Sequence, residues 1–205
     1  WEIFGALLYG GRLVIVPELV AKDTEAFADL LAEQEVTVLN QTPSAFNALQ
    51  EQVIDKKHPL KVRYVIFGGE ALTPGVLKPW AAQYPDCALI NMYGITETTV
   101  HVTFKEIGTR EINLNVSDIG RPIPTMSCYI LDENMELVPM GVAGELFVSG
   151  AGVSRGYLNR PELSKERFMT NPFNPGERLY KTGDVAKRLS SGDIEYLGRN
   201  DKQIK

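Results

Sequence analysis

The chain has 205 residues, 44% hydrophobic and 23% charged, with a formal net charge of −5. That is ordinary globular composition, with room for one large domain or two small ones. Lys and Arg form no basic block and no apolar run approaches the ~20 residues of a bilayer span, so neither a nucleic-acid nor a membrane partner is expected.

The first half alternates two periodicities. Residues 3–9 read as an apolar helix stopped by Gly10-Gly11. Residues 13–16 read as a buried strand ended by Pro17. Residues 24–34 are amphipathic, with Phe27, Leu30 and Leu31 at helical spacing. A strand follows at 36–39, a helix at 44–54, and a strand at 62–67 that runs into Gly68-Gly69-Glu70. A helix at 74–84 carries Pro74 in its first turn, and a short strand at 88–90 closes the series. Strands alternating with helices of about 10 residues predict a mostly parallel sheet flanked by helices.

Past residue 103 the helical period fades. Short apolar runs at 128–131 and 136–138 flank Asp132-Glu133-Asn134, a hairpin signal. Runs at 145–149, 179–180, 185–189 and 193–197 continue the pattern. The expectation is α/β: a mostly parallel α/β part over 1–105, then an antiparallel β-barrel-like part over 106–200. Residues 201–205 would be a hinge. The chain opens on an apolar stretch at Trp1 and stops in a charged run at Lys205, so an internal piece of a longer protein is expected. Cys87 and Cys128 sit in no paired motif, and no signal peptide is expected. A reducing, cytoplasmic compartment is expected rather than a disulfide or zinc framework.

In an open parallel sheet, ligands sit beyond the carboxyl ends of the strands. The loops there are Asn40-Gln41-Thr42-Pro43, Gly68-Gly69-Glu70 and Asn91-Met92-Tyr93-Gly94-Ile95-Thr96-Glu97. The last brings an amide, an aromatic ring, hydroxyls and a carboxylate together, the groups that a nucleotide, its phosphates and Mg²⁺ require. Tyr93 is either a stacking ring or a core-edge tyrosine. Glu97 is either a metal ligand or a carboxylate in the first turn of a helix. In the second half, Asp184 in Tyr180-Lys181-Thr182-Gly183-Asp184 is either turn chemistry or a ribose acceptor. Arg199 is either a surface arginine or a planar fork for ribose and phosphate oxygens. No Gly-x-x-x-x-Gly-Lys-[Ser/Thr] occurs, so a P-loop enzyme finds no support.

These segments, taken in order, resemble the adenylation domains of nonribosomal peptide synthetases, within the acyl-adenylate-forming, AMP-binding superfamily. WEIFGALLYGGRLVIVP is similar to the stretch that follows the family's Phe-Asp motif. NMYGITET resembles Asn-x-Tyr-Gly-Pro-Thr-Glu, with Ile95 where proline is usual. GELFVSGAGVSRGYLNRPELSKERF, YKTGDVAKR and GRNDKQIK resemble the next motifs.

The resemblance implies an ATP-dependent ligase that joins an amino-acid carboxylate to AMP and passes it to the phosphopantetheine of a carrier domain. The cofactors implied are ATP and Mg²⁺. The partners implied are the amino acid and the carrier and condensation domains of the same chain. It assigns Thr96 to phosphate and Glu97 to catalysis and Mg²⁺. Asn91 would read adenine, and Tyr93 would stack on it, with the Gly68-Gly69-Glu70 backbone on its other face. Asp184, Arg199 and nearby Tyr196 would bind ribose, and Asp201 would be the hinge. The family's phosphate loop, amine-clamping aspartate and catalytic lysine find no counterpart in these residues, so this piece alone is expected to be inactive.

Carried over in the same way, the substrate pocket is Trp1, Asn40, Ile66, Gly68, Met92, Val100 and His101, a set similar to that associated with threonine. Asn40 and His101 offer polar groups for a β-hydroxyl, while Ile66, Met92 and Val100 suit its methyl. Serine is the next expectation. Rival readings are an acyl-CoA synthetase type of adenylate-forming ligase and a non-catalytic nucleotide-binding module.

Overall fold

The structure, a computed structural model, describes residues 1–200. It is a mixed α/β fold around a 10-stranded sheet. Short α1 (Glu2–Leu7) and α2 (Glu18–Lys22) lead into α3 (Thr24–Glu33). Asp23 caps α3, accepting from the amides of Glu25 and Ala26. Next come β1 (Val38–Gln41), α4 (Pro43–Lys56), β2 (Tyr64–Phe67), α5 (Lys78–Gln83) and β3 (Ala88–Asn91). The expected helix over 74–84 is split: a 3₁₀ turn at Pro74–Leu77 precedes α5. Pro79, near the start of α5, offers no backbone donor to the turn behind it.

The expected strand at 13–16 is absent. No ladder hydrogen bond holds that segment, and Ile15 is 82% exposed. Without a neighbouring strand, β propensity has nothing to pair with. The segment is held instead by Arg12, which donates to the Gln34 carbonyl, and by Val16 against the core.

β1, β2 and β3 pair in parallel, with Asn40, Ile66 and Ile90 in register. Phe27 and Leu31 of α3 and Phe46, Leu49 and Val53 of α4 bury against Phe67, Trp80 and Leu89. The Phe46 ring meets those of Phe67 and Trp80 edge-on at 4.9 and 4.8 Å.

Direction reverses after β3. The linker from Met92 to Val102 holds only a 3₁₀ turn, too little for the crossover that a further parallel strand needs. The chain therefore returns as β4 (Thr103–Ile107), antiparallel to β3. β4 also pairs with β5 (Asp118–Pro122), so the residue 105/106 boundary falls inside a strand shared by both halves. α6 (Thr109–Leu114) lies between them.

The rest is antiparallel: β6 (Met126–Leu131), β7 (Ala143–Gly150), β8 (Phe168–Thr170), β9 (Arg178–Arg188) and β10 (Ile194–Arg199), with α7 (Pro161–Arg167) before β8. The sheet order is β1-β2-β3-β4-β5-β10-β9-β7-β6, with β8 on β9. The hairpin expected at 128–138 forms only as a short turn, with Leu137 bridging Leu131, the Asp132 amide donating to the Glu136 carbonyl at 2.9 Å and the Val138 amide to the Ile130 carbonyl at 3.1 Å, while the long partner of β6 is β7. Asp132 explains this, because its carboxylate accepts from the Asn134 and Glu136 amides and folds the segment into a side-chain-bonded turn.

A second core gathers Val102, Ile119, Cys128, Leu146, Val148 and Ile194. Tyr93, from the linker after β3, belongs to it. A charged cluster ties the halves together. Lys105 lies 2.8 Å from Asp193, 3.2 Å from Asp118 and 3.4 Å from Glu111, and Arg121 lies 2.9 Å from Asp193.

Candidate functional site

The reversal after β3 leaves the linker 92–102 facing the β-rich half across a cleft of about 880 Å³. The carboxyl ends of β1 and β2 form one wall through Asn40, Gln41, Thr42, Gly68 and Gly69. The linker contributes Thr96, Glu97, Val100 and His101. Tyr157, Arg167, Tyr180, Thr182 and Arg199 form the opposite wall.

Gly94 is the pivot of the linker. A Cβ there would lie 1.7 Å from the Val100 carbonyl oxygen, so only glycine lets the linker fold back on itself. Beyond it, Thr96–Thr98 form a 3₁₀ turn. The Glu97 carboxylate accepts a 2.6 Å hydrogen bond from the Tyr157 hydroxyl. The Glu97 carbonyl accepts from the Ser154 amide at 2.8 Å, and the Thr99 hydroxyl donates to the Gly152 carbonyl at 2.7 Å. The turn is thus clamped by the segment 152–157 of the β-rich half.

A narrow slot of about 50 Å³ opens beside the cleft, lined by Gly69, Glu70, Asn91, Met92, Tyr93, Ser117 and Tyr196. Gly69 has φ +84°, a left-handed conformation that exposes its backbone to the slot. The Glu70 side chain turns away to the start of α4, accepting from the Ser44 amide at 3.0 Å and the Ser44 hydroxyl at 2.8 Å. Asn91 is buried, and its amide nitrogen donates to the Asp118 carbonyl at 2.8 Å. That bond fixes the amide plane. The Tyr93 and Tyr196 rings lie 6.1 Å apart.

Asp184 is fully buried and accepts from the Tyr93 hydroxyl and, at 3.3 Å, from Arg199. Burial, and then the Asp184 charge, push the Tyr93 hydroxyl well above its ordinary pKa, so it stays a donor. Tyr93 is therefore a core-edge residue and a wall of the slot at once.

At the Trp1 end of the cleft, the Trp1 ring meets His101 edge-on at 5.3 Å. Asn40 donates to Glu2 at 2.7 Å. Gly68 faces His101 so closely that an added Cβ would lie 3.3 Å from Cε1. His101 Nε2 is buried without a hydrogen-bond partner among the described residues, and burial lowers its pKa, so the ring is neutral at pH 7. Trp1, Asn40, Gly68, Val100 and His101 share the cleft wall. Ile66 is buried and does not line it, and Met92 lines the slot instead. Asp201 lies outside the described residues.

Sequence reasoning did not single out Tyr157, Tyr180, Ser117 or Arg167. Tyr157 and Tyr180 reach Glu97 only through tertiary contact. The buried Ser117 hydroxyl has no partner among the described residues. Tyr157 and Arg167 lie inside the motif GELFVSGAGVSRGYLNRPELSKERF and Tyr180 opens YKTGDVAKR, so the motifs flag the segments but not these side chains.

Among the described residues no group of His, Cys, Asp and Glu forms a metal cage. A lone carboxylate such as Glu97 suits Mg²⁺, which keeps its waters and is bound through one or two carboxylates plus substrate phosphates. Nor, among the described residues, is any helix long and apolar enough to cross a membrane.

Comparison with known proteins gives one consistent picture. Residues 1–158 match the family model described as AMP-binding enzyme. The whole chain aligns at 57% identity with a plipastatin synthase of Bacillus subtilis, spanning 8% of that protein. It aligns at 54% identity with the dimodular nonribosomal peptide synthase of the same organism, spanning 9%. A solved structure of PA1221, described as an NRPS protein containing adenylation and PCP domains, superimposes with a TM-score of 0.88 at 28% identity. That match covers 99% of this chain and 41% of the other.

Proposed function

The chain belongs to the AMP-binding enzyme family, and from that premise we propose that it is part of an adenylation domain of a nonribosomal peptide synthetase. In this reading an amino-acid carboxylate attacks the α-phosphorus of ATP. Pyrophosphate leaves, and the aminoacyl adenylate is passed to the phosphopantetheine thiol of a carrier domain. The observation that carries the reading is the meeting of the Glu97 carboxylate and the Asp184-paired Arg199 in one cleft, with the slot of Asn91, Tyr93 and Tyr196 opening beside it.

Each residue then has a task. The Asn91 oxygen accepts from the adenine amine, and adenine lies between the Tyr93 ring and the Gly68-Gly69-Glu70 backbone. Asp184 and Arg199 hold the ribose hydroxyls, with Tyr196 beside them. Thr96 bonds phosphate, and Glu97 holds Mg²⁺, which neutralises charge on the phosphates. Chemistry of this kind is chiefly positioning and electrostatic stabilisation. The division into an α/β part, a β-barrel-like part and a hinge at Asp201 belongs to the same proposal. So does a cytoplasmic location, supported by the free thiols of Cys87 and Cys128.

The proposed substrate is threonine. Among the described residues nothing pairs with the buried His101 nitrogen, and an unpaired polar group favours a ligand that supplies a hydrogen bond. Valine, lacking the hydroxyl, is strongly rejected, whereas serine, lacking one methyl, is discriminated by only about 10- to 200-fold. ATP–pyrophosphate exchange by the full-length chain against twenty amino acids tests this. Threonine-dominated exchange with minor serine is expected. Exchange dominated by another amino acid removes the substrate assignment, and absence of exchange with any of them removes the activity.

A further inference from the structure

We propose that Tyr157 is a positioning residue that orients the Glu97 carboxylate for its metal, and that Tyr180 orients Tyr157 in turn. This rests on the reading of Glu97 as the magnesium ligand.

The Tyr157 hydroxyl donates to Glu97 Oε1 at 2.6 Å and lies 3.0 Å from the Tyr180 hydroxyl. A phenol has one proton. Because Tyr157 spends its proton on Glu97, the bond between the tyrosines must run from Tyr180 to Tyr157. The chain of donors is therefore directional, running from Tyr180 through Tyr157 to Glu97 Oε1. Burial first, then the Glu97 carboxylate for Tyr157 and the Tyr157 hydroxyl and Glu97 for Tyr180, raise the pKa of both tyrosines, so both remain donors at neutral pH.

The backbone around the pair is equally constrained. The Ser154 amide holds the Glu97 carbonyl. The Tyr157 amide donates to the Ser164 hydroxyl at 2.8 Å, anchoring the loop to α7. The Phe168 ring packs on both Tyr157 and Tyr180, at 5.4 and 4.7 Å between centroids. Magnesium demands near-ideal octahedral geometry and tolerates misplaced ligands poorly. A single flexible carboxylate in a wide cleft meets that demand only if something else fixes its rotamer. The supporting hydroxyls are the second layer of such a site.

The test compares wild type, Tyr157→Phe, Tyr180→Phe and Glu97→Gln in the full-length chain. ATP binding is titrated calorimetrically with and without Mg²⁺, and exchange is measured against Mg²⁺ concentration. Loss of one hydrogen bond to a charged group predicts about a tenfold rise in the Mg²⁺ needed by Tyr157→Phe. A smaller rise is expected for Tyr180→Phe, with metal-free ATP binding within about twofold of wild type in both. The proposal is overturned if Tyr157→Phe, or Tyr180→Phe should the former not fold, keeps wild-type Mg²⁺ dependence while Glu97→Gln loses it. If Glu97→Gln also keeps it, the assignment of Glu97 fails and this proposal falls with it.

Discussion

The Tyr93 hydroxyl donates to the Asp184 carboxylate across 91 residues of sequence, joining the linker after β3 to β9. Asp184 has no exposed surface and Tyr93 is 8% exposed, so the bond is shielded from water. Tyr93→Phe keeps the ring but removes a donor to a buried charge, and should lower unfolding stability by about 1.5–3 kcal/mol. Tyr93→Ala should in addition weaken ATP binding more than about tenfold, because the wall of the slot is gone. Urea melts and ATP titration check both.

The same burial predicts alkaline weakening. Tyr93, Tyr157 and Tyr180 all have folded pKa values raised above that of a free tyrosine, chiefly by desolvation. Above about pH 10 the unfolded chain loses these protons while the folded one keeps them, so stability falls as pH rises. The contribution is complete below pH ~10 and disappears as pH climbs through the folded values. Urea midpoints should be flat from about pH 7 to 9 and fall by about pH 10.5.

Gly94→Ala should abolish adenylate formation, since its Cβ would sit 1.7 Å from a backbone oxygen that cannot yield. Circular dichroism separates local disorder of the linker from global unfolding.

Gly68→Ala places a methyl 3.3 Å from the His101 ring without touching the ATP slot's Tyr93. The KM for threonine should rise at least about fivefold and that for serine less. His101→Leu should erase much of the preference for threonine over valine, which exchange kinetics with the two amino acids would reveal.

Lys105→Met would leave Asp193, Asp118 and Glu111 without their shared cation at the joint between the halves. Removing one member of such a cluster is expected to cost about 3–5 kcal/mol. The melting temperature should drop accordingly at pH 7 and recover partly at about pH 4, where carboxylates begin to protonate.

The alternation of strands and helices before β4 was legible because each element has its own apolar period, and β1, β2, β3, α3 and α4 appear where that period places them. The segment at 13–16 was not, because a strand exists only if another strand pairs with it. Asn91, Tyr93, Thr96 and Glu97 could be read as a unit because they lie within one loop. Their local chemistry, amide, ring, hydroxyl and carboxylate, was determined by the sequence alone. Which of those groups face a ligand was decided by tertiary structure. Asp118 holds the Asn91 amide, Tyr157 holds Glu97, and Asp184 holds the Tyr93 hydroxyl, each from a distant strand or loop. Residue types and local periods are properties of the chain. The pairing that orients a carboxylate or orphans a histidine nitrogen depends on which remote atoms the fold brings within about 3 Å, and no periodicity encodes that.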